Sequence, residues 1–143
     1  MKTAIGAVAL ILVLAAGVVR VAAEDAPQVT VTPLMSATTT AIGQPIVLPQ
    51  ANVEVRVSIY DIPVGATLAV HKHPHPRYAY VLAGKLRVIA NGDHDRTFDY
   101  AAGDFLIEMV DTWHHGVNIG SEPVRLVVID QVEAGQTNTI LER

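Results

Sequence analysis

From Asn52 onward the chain is cut into short apolar runs by turn residues, and no run there is long enough for an amphipathic helix. Val53, Val55, Val57 and Ile59 alternate with Glu54, Arg56, Ser58 and Tyr60. A period of two marks a half-buried strand. Residues 67–73, 78–82, 85–90, 95–100, 105–109, 115–118 and 124–130 follow as further strand-length runs. Pro63, Gly65, Gly84, Asn91-Gly92 and Gly103-Asp104 punctuate them, and Asn-Gly is a strong hairpin signal. Short strands with regular turns predict an all-β sandwich or closed barrel. Closure would also remove exposed sheet edges.

The first 50 residues read differently. Lys2 precedes an unbroken apolar and small-residue run, residues 4–19, then Val21-Ala22-Ala23 and the polar Glu24-Asp25. This pattern predicts a secretory signal, residues 1–23, cleaved after Ala23. The run is short for a membrane span of about 20 residues. An uncleaved anchor or a buried N-terminal helix are the alternatives, and Arg20 fits the cleavage site least well. The expected location is therefore secreted or periplasmic. Residues 24–50 form a Thr- and Pro-bearing arm, with edge strands expected at 29–32 and 46–48, and residues 51–143 form the barrel domain.

Charge and composition narrow the partners. The 143-residue chain carries 10 Lys and Arg against 14 Asp and Glu, a net charge of −4. Removing residues 1–23 takes away Lys2 and Arg20 and no acid, so eight bases face fourteen acids, a net −6. An acidic chain is poorly suited to nucleic acid or to anionic membrane surfaces. There are no cysteines, so any metal ligands must be nitrogen or oxygen donors.

Five of the six histidines fall in two places, His71-Lys72-His73-Pro74-His75 and His114-His115. On a strand, His71 and His73 point to one side, with Lys72 opposite. Facing inward, two imidazoles could share a metal ion, with a third ligand from His114 or His115 on a distant strand. His-x-His is also common on surfaces, so the pair alone does not decide. His75 continues the alternation, but Pro74 and Pro76 flank it, which points to a pocket rim, with plain surface or a substitute ligand role as the alternatives. His115 should point away from His114. His94, in Gly92-Asp93-His94-Asp95, reads as a solvated turn residue. Tyr78 and Trp113 are candidates for lining the pocket, core packing or a subunit contact. Asp111-Thr112 is placed to orient His114 through a hydrogen bond.

Two longer patterns resemble the signatures of the cupin superfamily. Gly65-x5-His71-x-His73, followed by Arg77 and Gly84, is similar to G-x5-H-x-H-x(3,4)-E-x6-G. Gly103-x5-Met109-x-Asp111-x2-His114-x3-Asn118 is similar to G-x5-P-x-G-x2-H-x3-N. The resemblance spans about residues 52–132. It implies a jelly-roll barrel, also described as a double-stranded β-helix, with His71, His73 and His114 as ligands of a divalent transition metal ion (Fe, Mn, Zn, Ni or Cu). It also implies pairing of two copies into a homodimer, to which the 24–50 arm could contribute by exchange. Three-histidine members include dioxygenases, while other members are isomerases, decarboxylases, sugar-binding regulators or storage proteins.

The departures are informative. The signature's ligand glutamate falls on Arg77, its proline on Met109 and its second glycine on Asp111. Arginine has no lone pair for a metal and stays protonated. Three readings remain open. Arg77 could hold an anionic substrate beside a three-histidine centre. It could be neutralised by another carboxylate, with Glu108 the candidate because it lies in an otherwise apolar run. Or the metal could be lost and Arg77 be structural. Two functions follow. One is an exported metal-dependent oxidoreductase of the dioxygenase type acting on a small anionic molecule. The other is a non-catalytic cupin that binds or senses a small molecule or a metal.

Overall fold

The computed structural model describes residues 27–92 and 96–143. The expected signal at 1–23 and His94 lie outside the described residues. Among the described residues every strand lies within Thr32–Arg143, a compact unit. Among the described residues no helix is present, as the punctuated apolar runs require.

The described residues form nine strands in order: β1 Val53–Ile62, β2 His71–Lys72, β3 Arg77–Ala83, β4 Lys85–Ala90, β5 Arg96–Ala101, β6 Phe105–Ile107, β7 His114–Asn118, β8 Val124–Glu133 and β9 Ile140–Leu141. They build two antiparallel sheets with the orders β1-β8-β3-β6 and β5-β4-β7-β2-β9, the two layers of a jelly roll. Ala79, Val81, Leu106, Val124, Leu126 and Val128 from the first sheet meet Leu86 and Val88 from the second in one buried core.

Two signature residues show how local chemistry closes the barrel. Gly84 has φ +81°, and a Cβ there would lie 2.8 Å from the Pro123 carbonyl oxygen. Only glycine fits the turn that joins β3 to β4. Asn118 donates its side-chain amide to the Ile62, Pro63 and Glu122 carbonyls and accepts from the Gly120 N–H. It thereby ties the end of β1 and the connection from β7 to β8 to the end of β7.

The structure departs from the sequence expectations in two places. In β1 the apolar residues are the outward ones: Val53, Val55, Val57 and Ile59 are 50, 57, 63 and 48% exposed. The half-buried side carries Glu54, Arg56 and Tyr60, with Ile62 fully buried. β8 sets this choice, because its register puts Tyr60 opposite Leu126 and Ile62 opposite Val124, both core residues of β8. The 24–50 arm, expected to carry edge strands, forms none within residues 27–50. It makes one bridge, Thr39 to Pro45, closed by a turn in which Gly43 has φ +90°. The arm then binds the barrel through single contacts. Ala41 N–H donates to the Ile107 carbonyl, and the Gln44 side chain bonds both backbone groups of Val110.

Candidate metal centre

Three strands bring the site together. His71 pairs directly with His114 across β2 and β7, and His73 follows two residues on in a bridge to Val110. All three rings are buried, and their centroids lie 4.5–4.9 Å apart.

Backbone carbonyls fix the orientation of each ring. The Nδ1–H of His71 donates to Ala69 O at 2.7 Å, that of His114 to Thr112 O at 2.8 Å, and that of His73 to Asn138 O. With Nδ1 so engaged, each ring turns Nε2 toward the same point, the arrangement that metal-ligating histidines use. The loop before His114 thus orients it through the Thr112 carbonyl. Asp111 in that loop has φ +49°, and its N–H donates to His73 O at 2.8 Å. The signature's glycine falls on this left-handed position, which an aspartate tolerates better than most residues.

The fourth donor comes from a position the signature does not specify. Glu108 Oε2 lies 2.8 Å from His73 Nε2 and 3.1 Å from His114 Nε2. His71, His73, His114 and Glu108 each offer one atom, and these atoms lie within 4.8 Å of one another. Register explains how. Tyr78 pairs with Ile107 and Ala79 with Leu106, so Glu108 comes alongside Arg77 and donates its N–H to Arg77 O at 2.9 Å. Side chains directly opposite on one sheet face lie about 5 Å apart. The carboxylate missing at residue 77 is therefore regained one strand away.

Arg77 is buried and faces inward. Its partner is Asp130 on the other neighbouring strand, where the two residues are paired in register, and not Glu108 as the sequence suggested. Nε and Nη2 reach the two oxygens of Asp130 at 2.7 and 3.0 Å. Nη2 also donates to Thr139 Oγ1 at 3.2 Å, and Nη1 lies 3.4 Å from His73 Nε2. Since Arg56 of β1 pairs in register with Asp130, one row across the sheet reads Arg56, Asp130, Arg77, Glu108. Opposite charges on directly facing residues stabilise a sheet.

The charges support one another. Burial pushes His71 down to about 4, so it stays neutral. Burial alone would raise Glu108, but hydrogen bonds from His114 and His73 hold it well below the usual carboxylate range. Burial works against a charged His114 too, yet the hydrogen bond and charge of Glu108 carry it above its ordinary value. Arg77 likewise resists its burial because Asp130 binds it.

These features fit a metal ion. A buried carboxylate ringed by Nε2 atoms needs a cation between them. A proton on His114 can serve, and a divalent ion would replace that proton with bonds to all four groups. Beside the cluster lies a cavity of about 20 Å³, bordered by Tyr60, His71, Arg77, Glu108 and His114. An outer vestibule of about 150 Å³ shares Tyr60, Leu68, His71 and Arg77 with it and adds Ala69, Thr139 and Leu141.

The other candidates lie elsewhere. His75 borders a separate groove with Gln44, Pro45 and Glu133, because its backbone N–H is held by the Asn138 side chain at 2.9 Å. Tyr78 points to the outer face, where its hydroxyl donates to Gln131. Trp113 sits under Lys72 at 5.2 Å, away from both cavities. His115 turns outward and bonds Asn91. Asp130, Asn138 and Thr139 were not anticipated. Asp130, an acid closing the apolar run 126–129, could have been suspected for the same reason as Glu108. Asn138 and Thr139 carry no local signal.

Residues 58–130 match the family model of the cupin domain. Over 70 residues, 47% of this chain, it is 36% identical to an oxalate decarboxylase of Bacillus subtilis (strain 168), of which the match covers 18%. Among solved structures, a formate complex of Lactobacillus farciminis oxalate decarboxylase superposes with TM-score 0.53 at 24% identity, covering 61% of this chain and 26% of that one. A Bacillus subtilis oxalate decarboxylase studied for its Mn(II) centres superposes with TM-score 0.53 at 27% identity, covering 61% and 23%. This chain thus matches about a quarter or less of each relative's length.

Proposed function

The chain belongs to the cupin family, and on that premise we propose that it is an exported protein holding one divalent transition metal ion on His71, His73, His114 and Glu108, beside which a small anionic molecule binds. The observation that carries this reading is the convergence of the three Nε2 atoms and one carboxylate oxygen, with every Nδ1 occupied by a backbone carbonyl. Imidazole and carboxylate donors suit Mn, Fe, Zn, Ni or Cu. The Mn(II) centres of the Bacillus subtilis relative make Mn(II) the first ion to test.

When bound, such an ion supplies Lewis-acid polarisation of a coordinated oxygen and, if redox-active, the oxidising chemistry of a dioxygenase. The chain's own residues do the rest. Glu108 offsets part of the ion's charge. Arg77, locked on Asp130, keeps Nη1 turned toward the centre and free to donate once His73 Nε2 is committed to a ligand bond. The narrow inner cavity limits water and large molecules. An oxidoreductase of the dioxygenase type is the catalytic form of the reading.

One observation favours the non-catalytic alternative. Both inward carboxylates near the site are engaged, Glu108 by two histidines and Asp130 by Arg77 and Asn138. Neither is left as an evident general base. Elemental analysis of protein purified without a histidine tag tests metal binding. Oxygen uptake with a panel of carboxylates and phenols then separates enzyme from binder: turnover identifies the enzyme, and its absence with every metal favours the binder.

Export rests on residues 1–23, and an N-terminus beginning at Glu24 in protein recovered outside the cytoplasm is the expected result. The outward apolar stripe of β1 supports pairing of two copies. Sedimentation should give a dimer, and Val57→Asp should shift it toward monomer.

A further inference from the structure

We infer that the anion taken at this centre is a small monocarboxylate with a short aliphatic tail, an inference that rests on the metal-binding reading above. The first argument is charge. Three groups of fixed charge border the centre: Glu108, Arg77 and Asp130, the last two bound to each other. Their sum is one negative charge, and a divalent ion brings the buried site to one positive charge. Uncompensated charge in a buried site is strongly disfavoured. One negative charge on the ligand balances the site, a second overshoots, and a neutral ligand leaves it unbalanced.

The second argument is the shape and lining of the space. The inner cavity of about 20 Å³ has room for roughly one water-sized group, which suits one oxygen of a carboxylate reaching in from the vestibule. Arg77 borders that space, and a guanidinium donates well to a carboxylate oxygen. Beyond it the vestibule of about 150 Å³ is walled by Leu68, Ala69 and Leu141, with the Tyr60 ring and Thr139 completing it. At about 30 Å³ per water-sized group, that is room for roughly five non-hydrogen atoms. Apart from Arg77, already paired with Asp130, no cation among the described residues lines it. A second carboxylate there would lose its water and find no countercharge. An aliphatic tail would be sheltered by the leucines.

Propionate, malonate and propionamide have the same three-carbon length and carry one, two and no negative charges. Titrated into the Mn(II)-loaded protein by calorimetry, with metal content measured after each run, propionate should bind at least tenfold tighter than either of the others. Leu141 is more than half exposed, so Leu141→Arg spares the core and adds a cation at the mouth. It should bring malonate to parity with propionate or beyond. Equal or tighter binding of malonate by the unaltered protein would overturn the inference, as would a Leu141→Arg variant that still prefers propionate tenfold. A protein that takes up no Mn(II) or other divalent ion contradicts the metal reading itself. Metal uptake without the propionate preference contradicts only the inference drawn here.

Discussion

Two arginine–aspartate pairs in this barrel have nearly the same geometry and opposite surroundings. Arg87 and Asp99 face each other across β4 and β5, with both oxygens bound at 2.7 Å. Arg77 and Asp130 face each other across β3 and β8, at 2.7 and 3.0 Å. The side chains of the first pair are 40 and 51% exposed, those of the second 6 and 14%. Water screens the first pair and replaces it readily when it breaks. The second pair has no such substitute. Burying both charges cost desolvation that the attraction only partly repays, so the pair is weak evidence of stability and strong evidence of mutual dependence. What it gains is position: Arg77 is held with one nitrogen toward the histidines and its charge cancelled.

Breaking the buried pair should produce the largest effect. Asp130→Ala leaves the Arg77 guanidinium buried and unpaired, with an expected loss of about 3–5 kcal/mol, read from the denaturant midpoint. An unchanged midpoint would show that Arg77 swings into solvent, and the contrast between the two pairs would vanish. The next effect falls on metal and not on folding. Glu108→Gln keeps the size of the side chain but removes its charge. Even outer partners of metal ligands are worth about 10–100-fold in affinity, so loss of a direct ligand should weaken Mn(II) binding by at least about 100-fold. Titration calorimetry measures this, and unchanged affinity would leave Arg77–Asp130 as the only structured charge cluster in the site.

A smaller effect should appear with pH in the metal-free protein. His71 titrates near 4 when folded against 6.5 ordinarily. Between those values the unfolded chain binds more protons, so His71 lowers stability as pH falls through that window. The depressed Glu108 adds to the loss at lower pH, since its contribution is present above the ordinary value of 4.5 and disappears on acidification. His114 acts in the other direction. Its folded value is raised, so its contribution is full below 6.5 and is lost as pH rises through the folded value. Melting temperatures should therefore fall as pH drops from 6.5 to 4, with Glu108 steepening the fall toward its lower end and His114 opposing it only above 6.5. A rise toward pH 4 would contradict the buried neutral state of His71. The smallest effect is expected at the surface pair, where Arg87→Ala should leave the melting temperature within measurement scatter.

Much of the barrel was legible because strand alternation and turn residues are local signals. The runs at 85–90 and 124–130 reappear as β4 and most of β8, and Gly84 stands at the turn its φ demands. Direction was less legible. The period of two in β1 is real, but which side faces in depends on Leu126 and Val124 of β8, some 65 residues away. The site divides the same way. His71-x-His73 and His114 could be found by spacing. Alternation also implies that Tyr78 faces out once Arg77 faces in. Glu108 could be suspected from the sequence as an acid in an apolar run, but that Asp130 binds Arg77 while Glu108 joins the histidines depends on the registers of β6 and β8. The carbonyl of Asn138 reaches His73 only because the C-terminal segment folds back and pairs β9 with β2.

The central claim is that four side chains from three stretches of the barrel grip one ion. Its most direct test is the metal content of tag-free protein after dialysis against trace Mn(II), compared with His73→Ala. One ion per chain in the unaltered protein and none in the variant is the expected result. An equal metal content in both, or none in either, would contradict it.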